Sequence, residues 1–523
     1  MSASMTRMVR HAFRMMLGTF ASRVLGLVRE MLTAAFFGAT RQLDAFYVAY
    51  TLANLSRQLL AEGALSASFV PVFTRTLEEE GRPAAHALAR QALSVLLAVG
   101  TGVVLLGILA SPLLVGVMAP GFSPEDRALA VTLTRWLFPF LLLVSVGALA
   151  MGVLNSLDSF FVPAVAPAAS NLAFILCLLA LYPNPTLWGM VGAVLLGGSC
   201  HMLLQWGWAA RMGMPLLPAV PRRDNPELRR MMALFLPYAA GLSLNQLNPV
   251  ISRMLGSFLE GGAISVLNYA DRVLQLPLGL FVIAISQAVL PLLSRQKPED
   301  REGFRDFLRD ALRFNLFVVL PVSLGLLFFS REVVHLLFVR GAFGGWAWDA
   351  TAKALALYGL GLPGMACTTV IMRALYARGL PRAALKVTGF TVAANLAAGA
   401  ALMPFLSYAG LALGTSLAFS GAAWVGVRCL QRDLGYPLVL FEPRWALRQG
   451  GCCLVLGAGL FLFRTLWAYP LEAGAGLRAA WLGGAFLLAL GLYGGVTWAA
   501  GSPEWGWLRG AARKDPPKEK GVE

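Results

Sequence analysis

Several ionisable groups lie where a lipid-facing helix could not hold them. Arg23, Arg29 and Glu30 fall inside the first apolar stretch, and Asp44, Arg57 and Glu62 inside the second. Arg253 lies in the seventh, with Asp271 and Arg272 in the eighth. A central arginine costs about 2.5–3.5 kcal/mol on membrane insertion, so four facing lipid would cost roughly 10 kcal/mol. They must face each other or a water-filled cavity. Spacing supports a shared interior face. Arg23 and Glu30 are seven apart with Gly26 between them, and Asn54 and Arg57 are three apart. Asn268, Asp271, Arg272 and Gln275 form a polar stripe at three- and four-residue spacing, followed by Pro277.

Guanidinium is always charged, and its forked donors match phosphate oxygens. Several in one cavity suit a polyanion such as a pyrophosphate better than a sugar, a neutral drug or a cation. Arg23, Arg29, Arg57 and Arg272 are therefore the candidate binding residues. Ser22, Glu30, Asp44, Asn54, Glu62 and Asp271 are the supporting cavity residues. Arg253, Lys353 and Arg373 read as side chains that snorkel from helix ends, and Arg135 as an interfacial anchor. Catalysis has little support. His11, His86, His201 and His335 are scattered without an HExxH pattern, and no phosphate loop for ATP is visible. The six cysteines (Cys177, Cys200, Cys367, Cys429, Cys452 and Cys453) show no CxxC spacing and read as small apolar packing residues. No cofactor or metal is expected.

The elements that position these charges are membrane helices. Of 523 residues, 58% are apolar and only 13% charged, against about 45–50% and about 25% in a soluble domain. An ordinary soluble enzyme is excluded. The stretches are continuous rather than alternating, which argues against a β-barrel. They run over 13–37, 44–73, 88–118, 128–154, 160–182, 187–210 and 231–258, then 264–293, 310–330, 349–376, 384–404, 408–430, 445–467 and 477–500. The expectation is an all-α polytopic membrane protein of about fourteen spans, its first helix retained rather than cleaved as a signal peptide.

The net charge of +16 sits in clusters between spans, the mark of the positive-inside rule rather than of nucleic-acid binding. The N-terminus, the 211–230 and 295–309 loops, Arg378, Arg382, Lys386, Arg428, Arg432, Arg444, Arg448 and the tail after 500 carry most of it. Arg41, Arg127, Arg331, Arg340, Arg464 and Arg478 fall on the opposite side. Both termini are expected in the cytoplasm. The chain also repeats itself. Ser22-Arg23-Val24-Leu25-Gly26 recurs as Ser252-Arg253-Met254-Leu255-Gly256, and Pro163 with Asn171 is echoed by Pro381 with Asn395. Six helices plus six, then two more, fit this layout. Internal repeats mark transporter folds with the site at the repeat interface.

The stretch Ser22-Arg23-Val24-Leu25-Gly26-Leu27-Val28-Arg29-Glu30, then Phe37-Gly38 and Asp44-Ala45-Phe46, resembles the MurJ (MviN) lipid II flippase family. So do Asn54-Leu55-Ser56-Arg57, Ala61-Glu62-Gly63-Ala64, Phe69-Val70-Pro71, Ala119-Pro120-Gly121-Phe122, Asn155, Pro163-Ala164, Pro167 and Tyr269-Ala270-Asp271-Arg272. The resemblance covers about residues 10–430. It implies the multidrug/oligosaccharidyl-lipid/polysaccharide (MOP) exporter fold, with two six-helix lobes around a central cavity and two C-terminal helices forming a polyprenyl-tail groove. The lobes would be residues 1–212 and 213–435, the groove 436–500, and a basic cytoplasmic tail 501–523. The family's essential cavity arginines fall on Arg23, Arg29, Arg57 and Arg272, and its acidic partners on Glu30 and Asp44, with Glu62 nearby.

Two departures stand out. Glu30 occupies a place where many members carry Asp, which keeps the charge. Gln58 follows Arg57 where some members carry a second Arg, which removes one. Some members are thought to bind sodium in the second lobe. Asn245 and Asn395 have no carboxylate beside them, so no such site is expected here. The function implied is a transporter of the bacterial inner membrane, not an enzyme. It would move lipid II, the undecaprenyl-pyrophosphate-linked disaccharide-pentapeptide, from the inner to the outer leaflet, with cell-wall synthesis proteins as possible partners. An exporter of another polyprenyl-linked oligosaccharide, such as an O-antigen unit, is the alternative.

Overall fold

A computed structural model describes residues 21–58, 65–221, 225–243, 246–294, 296, 300–435 and 442–507. Among them the chain is helical, without a strand. Helix α1 covers 21–37, followed by α2 Arg41–Arg57, α3 Ser66–Glu79, α4 Arg82–Met118, α5 Pro124–Leu137 and α6 Phe140–Ser156. Then come α7 Phe161–Ala180, α8 Leu187–Arg211, α9 Pro226–Ser243, α10 Leu247–Gly256, α11 Ala263–Pro277 and α12 Ala284–Ser294. The series closes with α13 Arg301–Phe338, α14 Gly345–Ala377, α15 Pro381–Leu406, α16 Tyr408–Leu434, α17 Pro443–Leu466 and α18 Ala475–Ala499.

Eleven helices long and apolar enough to cross a bilayer occur among the described residues. They fall on the expected stretches from 88–118 to 187–210 and from 264–293 to 477–500. The other three expected stretches, 13–37, 44–73 and 231–258, run into residues outside the described set.

Prolines explain where continuous stretches break. The stretch 128–154 divides into α5 and α6 at Phe138-Pro139, because Pro139 has no N–H to continue the ladder. After Pro277 the expected span 264–293 passes through a π-helical turn, Leu278–Ile283, before α12 resumes. Helix α16 stops at Gly435, whose φ of 83° is left-handed.

The chain forms two compact units. The first runs to Arg272 and includes Phe338–Ala347; the second takes Val273–Leu337 and the residues from Trp348 onward. In the first, Phe69, Phe73, Leu88, Leu93, Leu149 and Val153 form a core that joins α3, α4 and α6. In the second, Leu308, Leu312, Ile371, Leu375, Val387 and Leu430 tie α13 to α14, α15 and α16. A separate cluster of Phe317, Phe329, Leu456, Leu460 and Tyr493 seats α17 and α18 on α13, and the Tyr493 hydroxyl donates to Phe317 O at 2.9 Å.

Large apolar side chains also cover the outside. Leu109 and Leu113 on α4, Leu454 and Phe461 on α17 and Phe486 and Leu487 on α18 are all more than half exposed. Such a surface is disfavoured in water and suits acyl chains.

Within lipid, helices gain little from burying apolar area, so close backbone approach matters more. A Cβ built on Gly414 of α16 would meet Gly399 N of α15 at 2.8 Å. Gly484 on α18 faces open space. Gly414→Ala should therefore destabilise the protein by about 1–3 kcal/mol through overpacking. Gly484→Ala should leave it unchanged or slightly more stable, from helix propensity. Thermal unfolding of both variants in one detergent checks this; equal melting temperatures would contradict the close α15–α16 approach.

Candidate functional site

Glu30 on α1 is 2% exposed, so its charge is largely withdrawn from solvent. A buried carboxylate is tolerated only when cations and donors surround it. Its two oxygens divide that work. Oε1 receives Arg29 Nη2 at 2.8 Å and Arg272 Nη2 at 3.5 Å. Oε2 receives the Tyr47 hydroxyl at 2.8 Å and Asn268 Nδ2 at 3.4 Å. Both guanidiniums thus converge on one oxygen, while neutral donors hold the other. Arg272 is the more accessible cation, its side chain 37% exposed against 17% for Arg29.

Neighbouring helices fix these groups. Arg29 Nη1 donates to Asn171 Oδ1 on α7 at 3.2 Å, and its guanidinium lies 5.4 Å from the Phe174 ring centre. Asn171 Nδ2 in turn donates to Ser22 O at 3.1 Å. The α7 amide thus ties the start of α1 to its arginine.

Asp44 does a different job from the one its charge suggested. It is fully buried, and its hydrogen bonds go to the first turn of α11 rather than to a cavity arginine. Oδ2 accepts from Gly262 N, and Oδ1 from Ser265 N and Oγ, all at 2.7 Å. A carboxylate at a helix N-terminus satisfies donors that have no partner within the helix. Gly262 adopts φ 95°, a left-handed conformation that suits glycine. Tyr269 Oη donates to Gly38 O at 2.8 Å, fastening the same helix to the α1–α2 turn. Asp44 therefore sets the position of α11, which carries Asn268 and Arg272.

The other candidates distribute as follows. Asn54 Oδ1 accepts from Arg57 Nε at 2.8 Å on α2. Arg23 is half-buried on α1, and Asp271 is exposed beside Arg272. Glu62 and Asn245 lie outside the described residues. The sequence alone gives no sign of Tyr47 or of Asn268's bond to Glu30, and it reads Arg253 as a snorkelling side chain. Arg253 Nη2 donates to Asn268 Oδ1 at 3.0 Å, and Nε reaches Thr51 Oγ1 at 3.4 Å, so this arginine joins the network instead of snorkelling. The signal was present in the repeat, where Arg253 is the counterpart of Arg23.

The site thus offers forked cations gathered on one carboxylate oxygen. It can bind an anion.

The family model described as lipid II flippase MurJ matches residues 33–471. The lipid II flippase MurJ of Burkholderia cenocepacia is 32% identical over 505 residues, covering 92% of this chain and 95% of its own. A solved structure of lipid II flippase MurJ in an inward closed conformation gives a TM-score of 0.77 at 24% identity, over 95% of this chain and 99% of that one. An inward-facing multidrug resistance MATE transporter of the MOP superfamily gives 0.68 at 17% identity, over 79% and 94%. Both structural likenesses establish the MOP-type fold.

Asp44→Asn keeps the shape but turns an amide donor toward one of the N–H groups that Asp44 accepts. Hydrogen bonds to charged groups are worth about 1.5–3 kcal/mol, so the variant should lose about that much stability. Arg272→Ala, which leaves Arg29 on Glu30, should lose less. Melting temperatures in detergent compare the two; an unchanged Asp44→Asn would contradict the capping role.

Proposed function

The chain belongs to the lipid II flippase MurJ family, and on that premise we propose that it carries lipid II from the inner to the outer leaflet by alternating access. The observation that supports this reading is the convergence of Arg29 and Arg272 on Glu30 Oε1. Glu30 acts as a resident anion. It neutralises the two arginines while the cavity is empty and gives them up to an entering pyrophosphate.

Arg272, the more exposed of the pair, meets the head group first, and Arg29 completes the grip. Arg23 and Arg57 supply further charge along the path, with Ser22, Asn54, Glu62 and Asp271 as supporting cavity groups and Asp44 holding α11. The polyprenyl tail stays in the bilayer against residues 436–500, where the exposed faces of α17 and α18 offer apolar surface.

The protein is a multi-pass membrane transporter. We place it in the bacterial cytoplasmic membrane with fourteen spans, both termini cytoplasmic, and lobes at 1–212 and 213–435. With no ATP motif visible, the drive would come from the membrane potential, an ion gradient or consumption of the product. A potential supplies about 2.3 kcal/mol per elementary charge per 100 mV. Cell-wall synthesis proteins that make or consume the precursor are the expected partners.

The test is complementation of a bacterium depleted of its own lipid II flippase, with membrane levels checked for each variant. Arg29→Ala and Arg272→Ala should each reduce activity about tenfold or more, the worth of a charged hydrogen bond. Lys at either position keeps charge without the fork and should be intermediate. If the arginines serve only to neutralise Glu30, Arg29→Ala and Arg272→Ala combined with Glu30→Ala should recover full activity. That recovery would remove the pyrophosphate role. Failure of the wild-type chain to complement, despite normal insertion, would favour another polyprenyl-linked substrate.

Orientation has its own check. Reporter fusions after residue 523 and within 211–230 should both read cytoplasmic. An outside signal from either breaks the fourteen-span arrangement.

A further inference from the structure

Arg253 reaches the neutral side of Glu30 through Asn268. From α10 it donates Nη2 to Asn268 Oδ1 at 3.0 Å, reaches Thr51 Oγ1 at 3.4 Å, and lies 6.0 Å from the Tyr47 ring centre. Asn268 and Tyr47 are the two donors on Glu30 Oε2. The bond to Arg253 also decides which way the Asn268 amide points. With Oδ1 committed to a guanidinium, Nδ2 is left to face the carboxylate. An amide turned the other way would set its oxygen against Oε2 and meet a cation with its own donor.

We propose that Arg253, acting through Asn268, is a positioning residue for transport. It locks the amide that holds Oε2, and so keeps Oε1 aimed at Arg29 and Arg272 when the pyrophosphate takes those arginines over. Without the lock, Glu30 could follow its arginines and compete with the entering phosphate. The inference rests on the pyrophosphate reading of the arginine pair. It adds a residue whose guanidinium is spent on the protein and not on the ligand. Arg253 therefore differs from Arg272 in kind: its fork recognises an amide oxygen, and its effect on substrate is indirect.

The experiment uses the full chain in nanodiscs, with geranyl pyrophosphate as the probe and calorimetric titration as the readout. Arg253→Leu and Asn268→Leu should each weaken binding about tenfold, the loss of a charge-assisted hydrogen bond. The double variant should be no weaker than either single one, because both act through one contact. Arg253→Lys, which keeps a donor for Oδ1, should bind within about threefold of wild type.

Asn268→Asp separates positioning from simple helix bracing. It is isosteric and pairs with Arg253 more strongly, so a brace between α10 and α11 would survive it. As a positioning group it fails, because a second carboxylate now faces Oε2, and binding should fall by more than tenfold. This variant also covers the case in which the Leu variants do not fold. Wild-type binding by Asn268→Asp, or losses that multiply in the Leu double variant, overturns the proposal. Arg272→Ala controls the underlying reading. If it binds the probe as wild type does, the pyrophosphate reading falls, and this inference with it. If it loses binding while the Arg253 and Asn268 variants do not, only the inference falls.

Discussion

One carboxylate organises the centre of the first unit. Glu30 is buried on α1, and a bare charge there would cost several kcal/mol. Everything nearby can be read as the answer to that cost. Arg29 comes from the same helix, Tyr47 from α2, and Asn268 and Arg272 from α11. Because the cations take one oxygen and the neutral donors the other, the group is both neutralised and tethered. A tethered counter-ion is what an anion carrier needs. Under the proposed function it holds the two cations together in the empty state and gives them up to the substrate without leaving its place.

The rest of the unit keeps that geometry available. Asp44 fixes the start of α11 through three short hydrogen bonds. Asn171 links α7 to both ends of the first half of α1. Arg41, near Asp44 on α2, directs its guanidinium to Leu259 O at 2.6 Å and to the Phe122 ring at 5.5 Å, bracing the turn that leads into α11. These contacts fasten α1, α7 and the start of α11 around Glu30. The two acidic residues on α1 and α2 thus have separate duties: Glu30 gathers the arginines, and Asp44 holds the donors at the start of α11.

Much of the fold is legible in sequence because hydrocarbon tolerates few exceptions. Apolar stretches of about 20 residues stand out against 13% charge. An arginine inside one of them announces itself by its cost. What one dimension does not carry is the partner. Asp44 reads as an acidic mate for arginines, because spacing cannot show that Gly262 and Ser265 reach it first. Arg253 reads as a snorkelling side chain, although its Ser-Arg-x-Leu-Gly echo of Arg23 places it in the network. Asn171 can be noticed behind Pro163, yet its bond to Arg29 joins residues 142 apart in sequence. The divisions at Pro139 and Pro277 are local events inside stretches whose average hydropathy hides them.

The division of labour on Glu30 is the claim on which the account stands, and a structure of the chain bound to lipid II in a lipid nanodisc tests it most directly. The decisive quantities are the distances from Arg29 and Arg272 to the pyrophosphate and to Glu30. The account predicts both guanidiniums on phosphate oxygens, with Glu30 still hydrogen-bonded to Tyr47 and Asn268 through Oε2. It is contradicted if both arginines remain on Glu30 Oε1 while the pyrophosphate is held elsewhere.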